Sequence, residues 1–284
     1  MDPESTEPSN RSVGDPRCVL DDLLQLGERL AGAESVLLFL DFDGTLAPIV
    51  DDPTLAKLPA ATRQTLNELA ALENVTIAIV SGRALGDVKG RVGMPGLSYA
   101  GNHGLEIEGP GLSFEHPVAA GLRRKVRHIT ERVAAKAACL DGVEIELKGL
   151  SSSVHFRRSS VAAQIELDLF IREIIADDDP DIAITAGKMV HEIRPRVGWD
   201  KGTAVVWIRE HLGGDGDLPI VLGDDKTDES AFMAFEDAIT ICVDPRRPTA
   251  AKYQLDSPEE VREFLEWVRR VWEKRLGANK HRTA

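Results

Sequence analysis

The sequence predicts an α/β fold, with a Rossmann-like parallel sheet core and an inserted α+β domain. Short apolar runs of the kind that form buried parallel strands recur along the chain. Helical patterns separate these runs, which implies right-handed crossovers between neighbouring parallel strands. From about residue 118 the order changes to helix, strand, strand, and this unit occurs twice. That repeat indicates four antiparallel strands covered by two helices.

The first predicted core strand is Val36–Leu40, which is followed by an Asp-Phe-Asp-Gly-Thr sequence. Because side chains alternate along extended backbone, Asp41 and Asp43 should emerge on the same side. Two carboxylates held together at the end of a buried strand repel each other unless a cation or proton joins them. The carboxyl edge of a parallel sheet is also where α/β folds bind ligands. The stretch indicates a metal-assisted active site, although a plain Asp-rich turn would use the same residue types.

The remaining elements follow from apolar periodicity, in the order of the chain. For the core we predict helices over 19–30, 60–72, 201–212, 230–235 and 257–276, strands over 75–80, 218–222 and 239–243, and a short strand just before 99. A hairpin is predicted over 105–108 and 112–115. For the insert we predict helices over 119–140 and 162–176, and strands over 143–148, 152–157, 182–185 and 189–194. The domains are then a discontinuous core, 18–117 and 196–284, and the insert, 118–195. Residues 1–17 are polar and Pro-rich and are predicted to be disordered, and the tail 277–284 is predicted to be loose.

Composition restricts the class of protein. The chain has 284 residues, with 34 Lys and Arg against 47 Asp and Glu, so its formal net charge of −13 argues against a nucleic-acid surface. Cys18, Cys139 and Cys242 are too scattered for a metal site or a disulfide framework, which favours a reducing compartment. No apolar run has the length of a membrane span, and the N-terminal residues do not resemble a secretory signal. We expect a cytoplasmic protein without a membrane or nucleic-acid partner, and a monomer is the working expectation.

Further polar residues follow other predicted strands. Ser81 follows the strand 75–80, and Asp224 and Asp228 follow the strand 218–222. Lys201 begins a predicted helix, and its ammonium could balance anionic groups. Carboxylates from two strands would form an all-oxygen site of the kind that suits Mg²⁺. Taken singly, each of these signals is also typical of a helix cap, an acidic turn or a surface lysine.

Together these residues resemble the four motifs of the haloacid dehalogenase superfamily, in the right order. The insert between the second and third motifs resembles the C2-type caps of that superfamily. Several stretches are similar to the trehalose-6-phosphate phosphatase family, and they are Ser81–Arg83, Gly101–Gly104, Glu146–Lys148, His155–Arg157, Gly187–Glu192 and Arg194–Pro195. The resemblance covers nearly all of residues 35–245. One departure is Phe156, where the family often has Tyr.

The resemblance implies a mechanism for hydrolysing trehalose 6-phosphate. Asp41 would attack the phosphorus and form an aspartyl-phosphate, and Asp43 would act as general acid and then as general base. Mg²⁺ would be held by Asp41, by the backbone carbonyl of Asp43 and by Asp224, with Asp228 holding metal-bound waters. Charge on the phosphoryl oxygens would be stabilised by a separate group of residues, namely Ser81, Lys201 and the backbone N–H groups near Gly44 and Thr45.

The resemblance also implies which residues contact the sugar. Charged hydrogen-bonding groups are suited to a ligand that is covered with hydroxyls. The implied contacts are, in the cap, Lys188, Glu192, Glu146, Lys148, His155, Arg157 and Arg194, and in the core, Arg83, Asn102 and His103. An exposed antiparallel face would show the same alternation of charges. The cap should open and close over the substrate, with linkers near 116–118 and 195–198 as hinges.

Other functions remain open. The same scaffold could hydrolyse another sugar phosphate, such as sucrose-phosphate or mannosyl-phosphoglycerate. It could also belong to a phosphotransferase or sugar-phosphate mutase, or to a non-catalytic sugar-phosphate sensor. A panel of substrates, assayed for released phosphate, separates these alternatives.

Overall fold

The computed structural model describes residues 16–174, 179–187, 189–245 and 247–282. The strands, in chain order, are β1 (Arg17–Cys18), β2 (Ser35–Leu40), β3 (Val75–Val80), β4 (Ser98–Gly101), β5 (Glu106–Gly109), β6 (Leu112–Glu115), β7 (Glu144–Leu147), β8 (Ser152–His155), β9 (Ile182–Gly187), β10 (Val190–Pro195), β11 (Asp217–Gly223), β12 (Ile239–Val243) and β13 (Tyr253–Leu255). The α-helices are α1 (Leu23–Gly32), α2 (Ala60–Ala70), α3 (Leu85–Val92), α4 (Pro117–Ala137), α5 (Val161–Ile174), α6 (Lys201–Leu212), α7 (Glu229–Met233) and α8 (Pro258–Arg282).

The larger sheet has the strand order β1-β13-β12-β11-β2-β3-β4-β5-β6. Its pairings are parallel from β1 through β4, and the hairpin β5–β6 continues it with antiparallel pairings. Strand β2 lies between β11 and β3, so the carboxyl ends of these three strands meet at one edge. This topology confirms the predicted α/β fold with a parallel core.

Strand β2 occupies the centre because its residues Val36–Leu40 are apolar on both faces. Leu38 and Leu40 pack in one hydrophobic cluster with residues of α1, α2 and α8. Leu37 and Phe39 pack in the other, with residues of α6 and α7. Both clusters are buried, which is typical of a parallel strand covered by helices on both faces. The rigid strand therefore places Asp41, the next residue, at a defined point of the sheet edge.

The smaller sheet is antiparallel, with the order β7-β8-β10-β9. Apolar residues of α4 and α5 pack against one of its faces, together with Val154 and Ile193 from the strands. On the other face, Ser153 is paired with Glu146 on one side and with Glu192 on the other. The alternation along the strands thus separates an apolar face under the helices from a polar face.

Some elements differ from the sequence prediction. Helix α3 was not predicted, because Gly86 and Gly90 weaken its helical pattern, although Val88 and Val92 are buried one turn apart. The short edge strands β1 and β13 were also not predicted. Arg17, assigned to the disordered segment, begins β1, and residues 1–15 lie outside the described residues.

The prediction of a loose C-terminal tail is wrong for residues 277–282, which continue α8. Gly277 costs about 1 kcal/mol in a helix interior, but Leu276 packs against the core and Trp272 is fully buried one turn earlier. This packing stabilises the last turns. Residues 283–284, and residues 175–176 of the predicted insert helix, lie outside the described residues. Within the described ranges, no helix combines the length and the apolar character that crossing a membrane requires.

Candidate active site

Three carboxylates converge at the carboxyl edge of the larger sheet. Asp41 follows β2, and Asp224 and Asp228 follow β11; one oxygen of each lies within 4.8 Å of the others. Lys201, the first residue of α6, places its Nζ 2.6 Å from Oδ1 of Asp41 and 2.7 Å from Oδ1 of Asp228. Asp41, Asp228 and Lys201 are buried. The structure thus brings together the aspartates that follow two separate strands and the lysine that begins α6.

The cluster carries more negative than positive charge. Burial raises the pKa of the Asp41 carboxyl well above its usual value, and repulsion from Asp228 and Asp224 adds to this. Burial and repulsion from Asp228 raise the pKa of Asp224 to about 7. Burial alone would lower the pKa of Lys201, but the carboxylates of Asp228 and Asp41 raise it above its usual value. One ammonium does not balance three carboxylates, and the remaining negative charge favours the binding of a further cation.

The donor set fits a hard divalent cation such as Mg²⁺, which binds carboxylate oxygens. Within the described residues, the carboxylate of Asp224 accepts no hydrogen bond, so its oxygens are available. Gly44 leaves space for the Asp224 carboxylate, because a Cβ at position 44 would lie 2.2 Å from Oδ2 of Asp224. The chain thus has a carboxylate cluster with the donor atoms that such an ion needs.

The turn after β2 shapes the floor of the site. Leu46 and Ala47 donate their backbone N–H groups to the carbonyl of Phe42, at 3.0 and 2.9 Å, and Gly44 donates its N–H to the carbonyl of Ala47 at 2.8 Å. Gly44 has φ of 81°, a conformation that favours glycine. The Gly44 N–H is therefore occupied in the turn. The hydroxyl of Thr45 is buried and has no hydrogen-bond partner among the described residues.

Ser81 and Arg83 follow the neighbouring strand β3. The Ser81 hydroxyl accepts a hydrogen bond from the Arg83 backbone N–H at 3.2 Å, so its own proton can point to a ligand. The Arg83 guanidinium donates to both carboxylate oxygens of Asp43, at 2.6 and 2.7 Å. Asp43 is thus held beside the cluster rather than inside it.

A cavity of about 720 Å³ lies between the two sheets, over the carboxylate cluster. Predicted site residues that line it are Asp41, Asp43, Gly44, Ser81, Arg83, His103, Glu146, Lys148, His155, Arg157, Glu192, Lys201 and Asp224. Predicted site residues outside its lining are Thr45, Asn102, Arg194 and Asp228. Lys188 lies outside the described residues.

Charged residues of the smaller sheet reach across to the larger one. Glu192 lies 2.9 Å from Nε2 of His103 and 3.2 Å from Nζ of Lys148, which also donates to the carbonyl of Gly82 at 3.0 Å. Burial lowers the pKa of His103, although Glu192 opposes this. Burial would raise the pKa of Glu192, but His103 and Lys148 lower it well below its usual range. Asn102 and His103 have left-handed backbone, with φ of 50° and 58°, which Asn and His adopt more readily than most residues other than glycine. Asn102 contacts the Lys148 carbonyl after β7, and His103 contacts Glu192 of the smaller sheet.

The other predicted contact residues have different surroundings. Glu146 accepts a hydrogen bond from His155 at 3.1 Å. Burial would raise the pKa of Glu146, but His155 and Lys148 outweigh this effect and lower the pKa. Arg157 is exposed at the cavity wall. Asn102 supports the loop between β7 and β8, because it accepts from Ser151 at 2.6 Å and donates to the Lys148 carbonyl. Arg194 donates to the carbonyl of Trp199 at 2.9 Å.

Sequence reasoning missed Asp87, which accepts a hydrogen bond from Arg83 at 2.9 Å. The signal was present in the sequence, since Arg83, Asp87 and Arg91 are spaced by four residues, as on one face of a helix. It went unused because α3 was not predicted.

The fold is that of the haloacid dehalogenase-like hydrolases. A haloacid dehalogenase-like hydrolase from Bacteroides thetaiotaomicron superimposes with a TM-score of 0.60, over 82% of this chain and 99% of that chain, at 16% identity. That likeness shows the fold alone. A family model for trehalose-phosphatase matches residues 39–259. The chain belongs to the trehalose-phosphatase family, as the sequence resemblance predicted.

Two further comparisons agree with this assignment. The chain is 37% identical over 247 residues to the trehalose-phosphate phosphatase of Mycobacterium tuberculosis, which covers 84% of this chain and 62% of that protein. The crystal structure of a trehalose-6-phosphate phosphatase related protein has a TM-score of 0.73 and 27% identity, and the match covers 86% of this chain and 99% of that chain. The chain therefore spans about 62% of the length of the mycobacterial relative.

Proposed function

We propose that the protein hydrolyses trehalose 6-phosphate to trehalose and phosphate, as a step of trehalose biosynthesis. The supporting observation is that Asp41, held by the buried ammonium of Lys201, lies in a cavity whose other wall carries Glu192 and Lys148. The proposed nucleophile and the proposed sugar-binding groups thus face the same cavity. The names of the relatives support the choice of substrate.

In this proposal Asp41 is the nucleophile. Lys201 contacts its Oδ1, and within the described residues Oδ2 accepts no hydrogen bond, so Oδ2 can attack the phosphorus. The new Asp41–phosphorus bond replaces the bond between phosphorus and the sugar oxygen, and a second displacement by water releases phosphate. Two displacements of low barrier replace one difficult step.

Asp43 transfers the protons in both displacements. As a carboxylic acid it donates a proton to the departing sugar oxygen, and as a carboxylate it then takes a proton from the attacking water. Lys201, the Ser81 hydroxyl and the Thr45 backbone N–H stabilise the charge on the phosphoryl oxygens. The Gly44 N–H could join them only by giving up its bond to Ala47.

Asp41, Asp224 and the backbone carbonyl of Asp43 would hold Mg²⁺, with Asp228 contacting its waters. The ion supplies positive charge that brings an anionic nucleophile and an anionic phosphate together. Asp228 is suited to an outer position because Lys201 and the backbone N–H of Asp225 already use both of its oxygens.

In this proposal, residues 118–195 form a cap that carries the sugar contacts. The catalytic core would consist of residues 18–117 and 196–284. Glu192, Lys148, Glu146 and the undescribed Lys188 are the proposed readers of trehalose hydroxyls. The segments 116–118 and 195–198 connect the two and are the proposed hinges. We also propose that the protein is a monomer in the cytoplasm. The three cysteines form no disulfide, which suits a reducing compartment.

The decisive experiment is to add trehalose 6-phosphate to the purified protein and to measure free trehalose and phosphate, with Mg²⁺ and with a chelator. We expect both products in equal amounts with Mg²⁺ and neither with the chelator. Sucrose-phosphate and mannosyl-phosphoglycerate form the substrate panel. Faster release of phosphate from either compound would identify that compound as the substrate in place of trehalose 6-phosphate. Binding without hydrolysis in Mg²⁺ would indicate a sensor instead.

A further inference from the structure

One guanidinium holds the Asp43 carboxylate by two hydrogen bonds. Arg83 donates through Nε to Oδ2 at 2.6 Å and through Nη2 to Oδ1 at 2.7 Å. A bidentate pair of this kind fixes both the position and the rotation of a carboxylate. This matters because the Asp43 side chain is 39% exposed, so little else restrains it.

The Arg83 side chain is itself held firmly, and it is only 10% exposed. Its Nη1 donates to Asp87 at 2.9 Å, its Nη2 donates to the carbonyl of Pro53 at 3.0 Å, and its guanidinium lies 5.6 Å from the ring centre of Phe42. An arginine has five N–H donors. Four of the five donate to groups of the described residues, which leaves one for a ligand.

Asp87 connects this arrangement to a second arginine. It accepts a hydrogen bond from Nε of Arg91 at 2.7 Å, and Nη1 of Arg91 donates to the carbonyls of Thr54 and Ala56 at 3.0 and 2.7 Å. Helix α3 and the segment around Thr54 are therefore joined through the same charged groups that hold Arg83. The orientation of Arg83 is set from three sides.

We propose that Arg83 is a positioning residue for Asp43, and that Asp87 in turn positions Arg83. This inference rests on the proposed function, in which Asp43 gives a proton to the sugar oxygen and then takes one from water. It replaces the implied role of Arg83 as a contact of the sugar. Arg83 sets the place from which both proton transfers occur.

The role can be tested because leaving groups differ in their need for a proton. The sugar oxygen leaves as an alkoxide unless it is protonated, whereas the dinitrophenolate of 2,4-dinitrophenyl phosphate leaves without a proton. Displacing Asp43 should therefore slow attack on trehalose 6-phosphate but not the first displacement on the aryl phosphate. The second displacement still needs Asp43 as a base, so dinitrophenolate should appear as a burst of one equivalent.

We expect Arg83→Gln to lower kcat on trehalose 6-phosphate by about 10²–10⁴-fold, the usual contribution of a positioned acid or base. Its KM should not rise, and the burst with the aryl phosphate should remain, followed by slow turnover. Arg83→Lys should recover only part of the loss, because an ammonium cannot form the bidentate pair. Asp87→Asn should change the same parameters in the same direction by a smaller factor.

Arg209→Gln is a matched control. Arg209 also pairs with an aspartate through two nitrogens, to Asp217, and its guanidinium lies 4.8 Å from the ring centre of Phe235. It does not line the cavity. The control should lose similar contacts and some thermal stability without changing the ratio of the two activities. If Arg83→Gln fails to fold, Arg83→Lys and Asp87→Asn carry the test.

The outcomes separate this inference from the proposed function. A raised KM for trehalose 6-phosphate with kcat unchanged would make Arg83 a sugar contact and overturn the inference. Equal losses of activity on both substrates, with no burst of dinitrophenolate, would show that Arg83 has only a structural role. That result would also overturn the inference. Wild-type protein that hydrolyses neither substrate would overturn the proposed function itself.

Discussion

Nε2 of His103 lies 2.9 Å from Oε2 of Glu192, and the two residues belong to different sheets. His103 follows β4 in the larger sheet, whereas Glu192 is on β10 in the smaller one. Their side chains are only 10% and 17% exposed. A buried contact therefore joins the two walls of the cavity, and its strength should depend on protonation.

The first prediction concerns pH. Burial lowers the pKa of His103, so the folded protein keeps the imidazole neutral while the unfolded chain takes up a proton near its usual pKa of about 6.5. Since the unfolded state then binds more protons, this contribution to stability is present above pH 6.5 and is lost as the pH falls below it. The lowered pKa of Glu192 adds a further loss near its usual pKa of about 4.5.

Thermal unfolding of wild type and His103→Asn, both with Mg²⁺, checks this prediction. The advantage of the wild type should shrink between about pH 7.5 and about pH 5.5, because the variant lacks the group that titrates there. A difference in unfolding temperature that is constant, or that grows toward acid, would contradict the assignment of a neutral, buried His103.

The second prediction concerns the sugar. Glu192→Gln and Lys148→Met should lower turnover of trehalose 6-phosphate by about tenfold to a hundredfold, which corresponds to the loss of one charged hydrogen bond of about 1.5–3 kcal/mol. Slow hydrolysis of a small aryl phosphate should remain, because the reacting groups lie on the other sheet. Glu166→Gln, on the exposed surface of α5, is the control. Equal loss on both substrates would argue against a division of roles between the sheets.

The third prediction concerns the metal. If Mg²⁺ binds the folded protein and not the unfolded chain, as we propose, it should raise the unfolding free energy, by about 2.7 kcal/mol at a concentration of about 100 times its Kd. Asp224→Asn should remove most of this Mg²⁺-dependent increase, because that carboxylate is the one most available to the ion. Asp225→Asn, one residue away and exposed, should keep it. A full Mg²⁺ effect in Asp224→Asn would place the ion elsewhere.

The fourth prediction concerns Gly44. Gly44→Ala would place a Cβ 2.2 Å from Oδ2 of Asp224, at a φ of 81° that costs an L-residue about 1–2 kcal/mol. We expect the variant to lose the Mg²⁺-dependent stabilisation together with at least about a hundredfold of its activity, the scale of losing one electrostatic contact to the transition state. Gly86→Ala is the control: a Cβ there meets no atom of the described residues within 4 Å, and it should stabilise α3 by about 0.5–1 kcal/mol. A Gly44→Ala enzyme with normal Mg²⁺ binding would contradict the proposed position of the ion.

The meeting of Asp41 and Asp224 could be predicted from the sequence because topology alone produces it, whereas Lys201 begins a helix and was placed at the site by the family resemblance. Apolar runs identify buried parallel strands, and the carboxyl ends of such strands share one edge. The polar residues that follow those runs must then be neighbours, whatever the details of packing. The same reasoning placed Ser81 at this edge.

The partners of Arg83 could not be predicted in this way. Its contact with Asp87 depends on α3, whose two internal glycines hide the helical pattern, and its contact with Asp43 depends on a choice of rotamer. The sheet-to-sheet contact of Glu192 with His103 depends on two left-handed residues and on how the insert lies over the core. Strand and helix periodicity carries no information about the rotamer of Arg83 or about how the insert lies over the core.

Chemical trapping can show whether Asp41 accepts the phosphoryl group from trehalose 6-phosphate. Borohydride reduces an acyl phosphate to an alcohol, so quenching the enzyme with borohydride during turnover should convert Asp41 to homoserine, as seen by mass spectrometry of its peptide. We predict this conversion in the wild type with Mg²⁺ and its absence when a chelator is present. Phosphate release at a normal rate with an unmodified Asp41 peptide would show that Asp41 is not the nucleophile.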